Sequence, residues 1–225
     1  MRAKYIIIFG IAITAMFILA THNGQGPMLG KLDVAMFRAI NQGIQNPVLD
    51  RLAATASDIG SNDMNVSRYL LILCSIILFV SIIRKNRELK ILVLLLLIAL
   101  VISGLVVDPL KMIFGVSRPY VNFNNVHVYI AGSWLNITDQ FDKSYSFPSG
   151  HATITFTLLG VLWIYNRLRI PLLIFLFIIM FLIVYVGQHY VSDIIAGGFT
   201  GFMIGYLVRC FYSYLSFHFK NMRES

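Results

Sequence analysis

The chain has 225 residues, of which 58% are hydrophobic and only 12% are charged, and its formal net charge is +8. A soluble domain of this length would carry about 25% charged residues, so the composition excludes an ordinary soluble enzyme and predicts an integral membrane protein. The positive charge does not indicate nucleic-acid binding, because the basic residues fall in short clusters between apolar runs. We expect one membrane-embedded domain over residues 1–225.

Six apolar runs predict six transmembrane helices, because each is close to the ~20 residues that a bilayer core requires. They cover residues 5–20, 66–83, 91–107, 151–165, 171–187 and 194–215. The predicted fold is therefore all-α, a membrane bundle of six transmembrane helices. The first run follows two basic residues, as in a signal peptide, but no small-residue cleavage site comes after it. We therefore expect this run to be retained as a helix.

Lysine and arginine residues set the predicted orientation. With six spans, the four basic clusters fall on one side of the membrane, at residues 2–4, 84–90, 167–169 and 220–223. The positive-inside rule makes this side cytoplasmic, together with both termini. Eight of the ten carboxylates fall on the other side, in segments 21–65, 108–150 and 188–193. The small size of the chain favours a bacterial inner membrane.

Two further patterns lie within this arrangement. Gly197, Gly201 and Gly205 stand four residues apart in the sixth run, which predicts a helix face that packs closely against a neighbouring helix. Segment 120–146 is rich in asparagine and aromatic residues and shows no helical period. We expect it to form an external loop at the membrane interface.

Three polar motifs remain outside the apolar runs, and the topology places all of them at the extracytoplasmic face. The first motif is KMIFGVSRP (111–119), the second is PSGH (148–151), and the third is GQHYVSD (187–193). The first brings two cations, Lys111 and Arg118, and a guanidinium binds phosphate oxygens as a bidentate fork. The second ends a loop and begins a helix, so Ser149 is a candidate N-cap and the Gly150 amide points toward any bound anion.

The third motif supplies candidates for chemistry. His189 is a possible nucleophile toward phosphorus, and Asp193 is placed at i+4 to hold its other ring nitrogen. His151 of the second motif is then available to protonate a leaving alkoxide. A zinc site is the rival interpretation, since His151, His189 and Asp193 are plausible ligands, but two nearby cations disfavour a divalent metal. We therefore predict phosphoryl transfer without a metal or other cofactor.

At this point the sequence resembles the type 2 phosphatidic acid phosphatase superfamily. The pattern of that family is Lys, six residues, Arg-Pro; then Pro-Ser-Gly-His; then Ser-Arg, five residues, His, three residues, Asp. Lys111 to Pro119 and Pro148 to His151 fit completely, and His189 and Asp193 fit the end of the last motif. Six spans with the site at the outer face are also similar, so the resemblance covers most of the chain.

The resemblance implies a role for each matched residue. His189 would form a phosphohistidine, Asp193 would orient it, and His151 would protonate the departing group. The phosphate oxygens would be held by the remaining matched residues, Lys111, Arg118, Ser149 and the Gly150 amide. Water would then cleave the intermediate.

The sequence departs from the family pattern at one functional position. Where the third motif of the family has Ser-Arg, this chain has Leu182 and Ile183. Loss of one charge-assisted donor from such a site is expected to cost about 10²–10³ in rate. Gln188, Arg51 and Arg68 are the residues that we consider for compensation.

The prediction is an integral membrane lipid phosphatase that acts on a phosphomonoester or diphosphate, such as undecaprenyl diphosphate, phosphatidylglycerophosphate, phosphatidate or a lipid A phosphate. A lipid-to-lipid phosphotransferase would use the same residues. A non-catalytic lipid-binding member is favoured by Ile183 alone. A transporter would need polar residues along several spans, and the spans are almost uniformly apolar. The sequence does not set the oligomeric state.

Overall fold

The computed structural model of the protein describes residues 26–60, 63–130, 132–137 and 145–224, so the first predicted span lies outside the described residues. Within these residues the chain forms eight helices and one pair of strands. The helices are α1 (Lys31–Asn41), α2 (Pro47–Gly60), α3 (Asp63–Ile83), α4 (Arg87–Phe114), α5 (Pro119–Asn122), α6 (Gly150–Leu162), α7 (Asn166–Tyr185) and α8 (Val191–Glu224). The antiparallel strands are β1 (Val126–Ile130) and β2 (Ser133–Ile137).

The five longest apolar helices, α3, α4, α6, α7 and α8, overlap the five predicted spans that fall within the described residues. Among the residues that the structure describes, three helical segments are long and apolar enough to cross a membrane: α4, α7 and residues 191–218 of α8. The prediction of a mostly helical fold with apolar helices that could span a membrane is confirmed. The count of six spans stays a prediction.

The ends of α4 are fixed by local capping. The Asn86 side chain accepts a hydrogen bond from the Leu89 amide at 3.0 Å, which satisfies a donor of the first turn. At the other end, Gly115 adopts the left-handed conformation (φ 60°) and donates its N–H to the Lys111 carbonyl at 3.0 Å. Lys111 therefore lies in the last turn of α4. We call this end of the bundle, where α4 ends and α6 and α8 begin, the site end.

Helices α6 and α8 form the closest packed pair. A Cβ added at Gly197, Gly201 or Gly205 would overlap a backbone carbonyl of α6, that of Ser149, Thr153 or Thr157 respectively. Only glycine lets the two backbones come this close at these positions. The predicted packing role of the three glycines is confirmed.

Contrary to the expectation of an external loop, part of segment 120–146 forms regular secondary structure. Residues 126–130 and 133–137 form the antiparallel strands β1 and β2, and β1 buries the side chains of Val126, Val128 and Tyr129. The Tyr129 amide donates to the Val186 carbonyl at 3.2 Å, so the hairpin docks on the end of α7. Val126 and Val128 are fully buried there, and this apolar burial holds β1 at the site end.

Segment 21–65, to which no secondary structure was assigned from the sequence, contains α1 and α2. Helix α1 packs against α7 and α8 through the buried side chain of Phe37. Asn41 at its C-terminal end donates from Nδ2 to the carbonyls of His127 (2.6 Å) and Tyr185 (2.8 Å). This one buried amide therefore joins α1, β1 and α7.

Candidate active site

The first motif is positioned by the end of α4. Lys111 is half-buried in the last helical turn, and Gly115 then turns the chain toward Arg118. Arg118 is the N-cap residue of the short helix α5, and its side chain is also half-buried. Nε of Arg118 is buried and has no hydrogen-bond partner among the described residues. A buried guanidinium donor of this kind is suited to an oxyanion.

The second motif forms the N-terminus of α6. Ser149 is fully buried and caps the helix, with its Oγ accepting a hydrogen bond from the Ala152 amide at 3.4 Å. Since the hydroxyl accepts in this bond, its own proton stays available for donation to a ligand. Gly150 is the first helical residue and the half-buried His151 is the second, so their amides belong to the helix turn that lacks intrahelical acceptors.

The third motif differs from the expected geometry in one respect. The i, i+4 spacing predicts that His189 and Asp193 lie on one helix, but α8 begins only at Val191, so His189 lies in the turn before it. The i, i+4 contact is still made, with His189 Nδ1 3.3 Å from Asp193 Oδ2. Both side chains are buried, at 1% and 0% exposure.

The helix begins late because Asp193 acts as a capping residue. Its Oδ2 accepts a hydrogen bond from the Tyr190 amide at 2.8 Å, the arrangement of a capping box in which the third helical residue reaches back to the N-cap amide. The same oxygen faces His189. Asp193 therefore fixes both the start of α8 and the orientation of the imidazole.

Three hydrogen bonds join the chain segments that carry the motifs. The Ser146 amide, just before the second motif, donates to the Val116 carbonyl of the first motif at 2.8 Å. The Ser149 amide donates to the Asp193 carbonyl at 3.0 Å. Arg118 Nη1 donates to Gln188 Oε1 at 3.1 Å, which joins the first motif to the third. The structure thus brings all three motifs together at the site end.

At position 183, where the family has an arginine, this chain has an isoleucine that takes part in apolar packing. Ile183 is partly buried and packs against the apolar core that includes Val116 and Val126. Of the residues considered for compensation, Gln188 contacts Arg118, whereas Arg51 is exposed on α2. The side chain of Arg68 lies outside the described part of the chain.

Two residues near the site were not singled out from the sequence. Asp33 of α1 is fully buried and accepts hydrogen bonds from the Ser192 amide (3.0 Å) and the Ser192 hydroxyl (2.5 Å). Tyr190 follows His189, and its phenol oxygen accepts from Asn122 Nδ2 at 3.1 Å. Burial raises the pKa of the Tyr190 phenol, so this side chain stays neutral.

The arrangement of possible metal ligands bears on the rival zinc interpretation. Among the residues that the structure describes, no three His, Cys, Asp or Glu side chains are grouped so that they could hold a metal ion. His189 and Asp193 face each other directly, and the cation Arg118 reaches the residue beside His189.

Comparison with known proteins agrees with this arrangement of motifs. The family model of the PAP2 superfamily matches residues 92–217, more than half of the chain and all three motifs. The chain therefore belongs to the PAP2 superfamily, and the resemblance seen in the sequence is confirmed. No curated protein matches the chain.

Two solved structures share the fold. LpxE from Aquifex aeolicus is 23% identical with a TM-score of 0.55, and the match covers 79% of this chain and 94% of that one. A transmembrane PAP2-type phosphatidylglycerolphosphate phosphatase from Bacillus subtilis is 21% identical with a TM-score of 0.64, over 91% and 96% of the two chains. At these identities the likeness shows that the chains share a fold, and it shows nothing finer.

Proposed function

We propose that the protein is an integral membrane phosphatase that hydrolyses the phosphomonoester or diphosphate of a lipid. The observation that carries this proposal is the buried His189–Asp193 pair, held within one hydrogen-bonded framework with Ser149 and Arg118. A polarised imidazole next to a guanidinium and a helix N-terminus is suited to phosphoryl transfer.

In the first step, the lone pair of His189 Nε2 attacks phosphorus. Because Nδ1 faces the Asp193 carboxylate, the proton resides on Nδ1 and the tautomer presents Nε2 as the nucleophile. The P–N bond forms as the bond from phosphorus to the lipid oxygen breaks. His151 donates a proton to that oxygen, so the lipid leaves as a neutral alcohol, or as a lipid monophosphate when the substrate is a diphosphate.

In the second step, water attacks the phosphohistidine. His151, now neutral, takes a proton from the water, and the P–N bond breaks to release inorganic phosphate and restore His189. Lys111, Arg118, the Ser149 hydroxyl and the Gly150 amide hold the equatorial oxygens through both steps. Their charges and dipoles stabilise the negative charge of the transition state, which is the role that a metal ion takes in other phosphatases.

An apolar cleft beside the site supports a lipid substrate. The cleft has a volume of about 570 Å³, lies between α6, α7 and α8, and begins near Ile40 and Val191 at the site end. It extends at least to Phe202, about 16 Å further along α8 at 1.5 Å per residue. Phe156 and Met180 are among the side chains that line it. An acyl or prenyl chain would pack in this cleft while the phosphate lies over His189.

The decisive experiment is phosphate release by the purified protein in detergent, with a panel of lipid phosphates and excess EDTA. We expect release from at least one lipid phosphate to continue in EDTA and to be lost in His189→Ala. Loss of activity in EDTA would favour a zinc mechanism. Absence of release from every lipid, with lipid binding intact, would favour a non-catalytic role, for which Ile183 is the supporting feature.

The same assay separates hydrolysis from transfer. Addition of a second lipid that carries a free hydroxyl or phosphate would give a phosphorylated lipid product if the protein is a phosphotransferase. We propose hydrolysis, because it requires no second lipid site. Transfer of label to the added lipid at the expense of inorganic phosphate would show that the acceptor is a lipid.

A further inference from the structure

Gln188 directly precedes His189 and has a side chain with two defined partners. Its Oε1 accepts a hydrogen bond from Arg118 Nη1 at 3.1 Å, and its Nε2 donates to the Tyr129 carbonyl at 3.0 Å. A guanidinium can only donate and a carbonyl can only accept, so these two partners fix the orientation of the carboxamide. The side chain therefore connects Arg118 to strand β1.

The backbone around Gln188 is held just as closely. Gly187 has a φ of +80°, and a Cβ there would lie 2.8 Å from the His127 carbonyl oxygen and 3.0 Å from Val126 Cγ1. Only glycine fits this turn, because strand β1 packs directly on it. The Tyr129 carbonyl is thus held at a fixed position relative to Gln188.

Arg118 is a residue whose ligand binding would benefit from a side chain that is already held in place. An arginine side chain loses considerable rotamer freedom when it binds a ligand, and a guanidinium held beforehand in the binding geometry avoids part of this entropic cost. The contact with Gln188 uses one N–H of Nη1, while the buried Nε has no hydrogen-bond partner within the described residues. The third-motif arginine of the family is replaced by Ile183, so Lys111 and Arg118 are the lysine and arginine residues that remain in the three motifs.

We propose that Gln188 is a positioning residue that holds the Arg118 guanidinium against β1 for phosphate binding and so offsets part of the loss of the arginine at position 183. The inference rests on the proposed function, in which Arg118 binds the substrate phosphate. Gln188 acts through Arg118 and does not itself contact the phosphate.

A double-mutant cycle tests this role. We expect Gln188→Ala to lower kcat/KM for a lipid phosphate by about 10- to 100-fold, the range for a hydrogen bond to a charged group. In an Arg118→Ala background the same substitution should change kcat/KM by less than about twofold, because its effect is already lost. An equal loss in both backgrounds would overturn the inference.

Gln42 provides the matched control. It is an exposed glutamine whose Nε2 donates to the Asn125 carbonyl at 3.3 Å, next to the same hairpin but away from Arg118. Gln42→Ala should leave kcat/KM within about twofold of the unsubstituted protein. If Gln42→Ala caused the same loss as Gln188→Ala, general docking of the hairpin would explain the result, and the inference would be wrong.

Orthovanadate binding provides a readout that does not depend on lipid hydrolysis. Measured by the rise in Tm in detergent, the vanadate Kd should increase about tenfold in Gln188→Ala and in Arg118→Ala, with no further increase in the double variant. This pattern without turnover of any lipid phosphate would reject the proposed function and retain the positioning role. Equal vanadate affinity with and without the Gln188 side chain would reject the positioning role even in an active enzyme. If the protein bound no vanadate at all, both the proposed function and the positioning role would be rejected.

Discussion

Two acidic side chains, those of Asp193 and Asp33, accept hydrogen bonds from backbone amides at the N-terminus of α8. Asp193 accepts from the Tyr190 amide and faces His189, while Asp33 accepts from the amide and hydroxyl of Ser192. The first amides of a helix have no intrahelical partners and carry partial positive charge, so both contacts are favourable. We therefore expect Asp33 to help hold the turn that carries His189.

We expect Asp33→Ala to destabilise the protein by about 1–3 kcal/mol, because it leaves the buried amide of Ser192 without its acceptor. It should also lower kcat per folded molecule, since the turn that carries His189 loses one of its two anchors. The free energy of unfolding in detergent and the initial rate of phosphate release check the two effects.

Removal of a helix cap elsewhere is the control for Asp33. Asn46 caps α2, with its Oδ1 accepting from the Val48 amide at 3.1 Å and the Leu49 amide at 2.9 Å. Asn46→Ala should cost about 1 kcal/mol of stability with an unchanged rate per folded molecule. A normal rate in Asp33→Ala, or an equal rate loss in Asn46→Ala, would show that Asp33 does not act on the site.

The individual residues of the three motifs could be predicted from the sequence, because their chemistry and order are specific. Asp33 and Asn41 could not be predicted in the same way. Asp33 binds a residue 159 positions away, and Asn41 binds the Tyr185 carbonyl across 144 positions. A single polar residue in a short amphipathic helix gives no local signal of such partners.

At the scale of elements, the α6–α8 pair determines the site, since α6 carries Ser149 to His151 and α8 begins between His189 and Asp193. The Ser149 amide donates to the Asp193 carbonyl at 3.0 Å, at the end of the glycine face along which the two helices approach each other. Close packing of these backbones is therefore a condition for the geometry of the active site.

We expect Gly201→Ala to destabilise the protein by about 1–3 kcal/mol, because its Cβ would overlap the Thr153 carbonyl and force the helices apart. Gly104→Ala is the matched control, since no atom lies within 4 Å of a Cβ at this position of α4. That substitution should stabilise the protein by about 0.5–1 kcal/mol. Unfolding in detergent measures both, and a neutral or stabilising Gly201→Ala would contradict the packing described here.

The long helices and the glycine face could be predicted from the sequence. Apolar runs of this length are typical of membrane-spanning helices, and glycines spaced by four residues are typical of close helix packing in a membrane. The hairpin was missed, although VHVYI alternates along a strand and Gly132 marks a turn before SWLNI. Helices α1 and α2 were missed because they are short and amphipathic, and their charged residues separated them from the apolar runs.

At the scale of the whole molecule, the basic clusters of the α3–α4 and α6–α7 connections lie at the end of the bundle opposite the site residues. The turn from α3 to α4 carries Arg84 and Lys85, and the turn into α7 is followed by Arg167 and Arg169. The motifs lie at the site end. By the positive-inside rule this arrangement favours a site that opens on the extracytoplasmic face of the membrane.

Labelling of single cysteines tests that orientation. In a background without Cys74 and Cys210, we expect a membrane-impermeant maleimide to label Gln45→Cys in intact cells, because this exposed residue lies at the site end. Lys85→Cys, exposed at the other end, should be labelled only after the cells are lysed. The reverse pattern would place the site on the cytoplasmic side.

The most direct test of the central claim is detection of the covalent intermediate on His189. The purified protein is mixed with a lipid carrying radiolabelled phosphate and quenched within one turnover in alkali, since phosphohistidine hydrolyses in acid. Peptide mapping should place the phosphate on His189, and His189→Ala should carry none. Rapid hydrolysis with no phosphorylated protein, or with the phosphate on another residue, would contradict the mechanism.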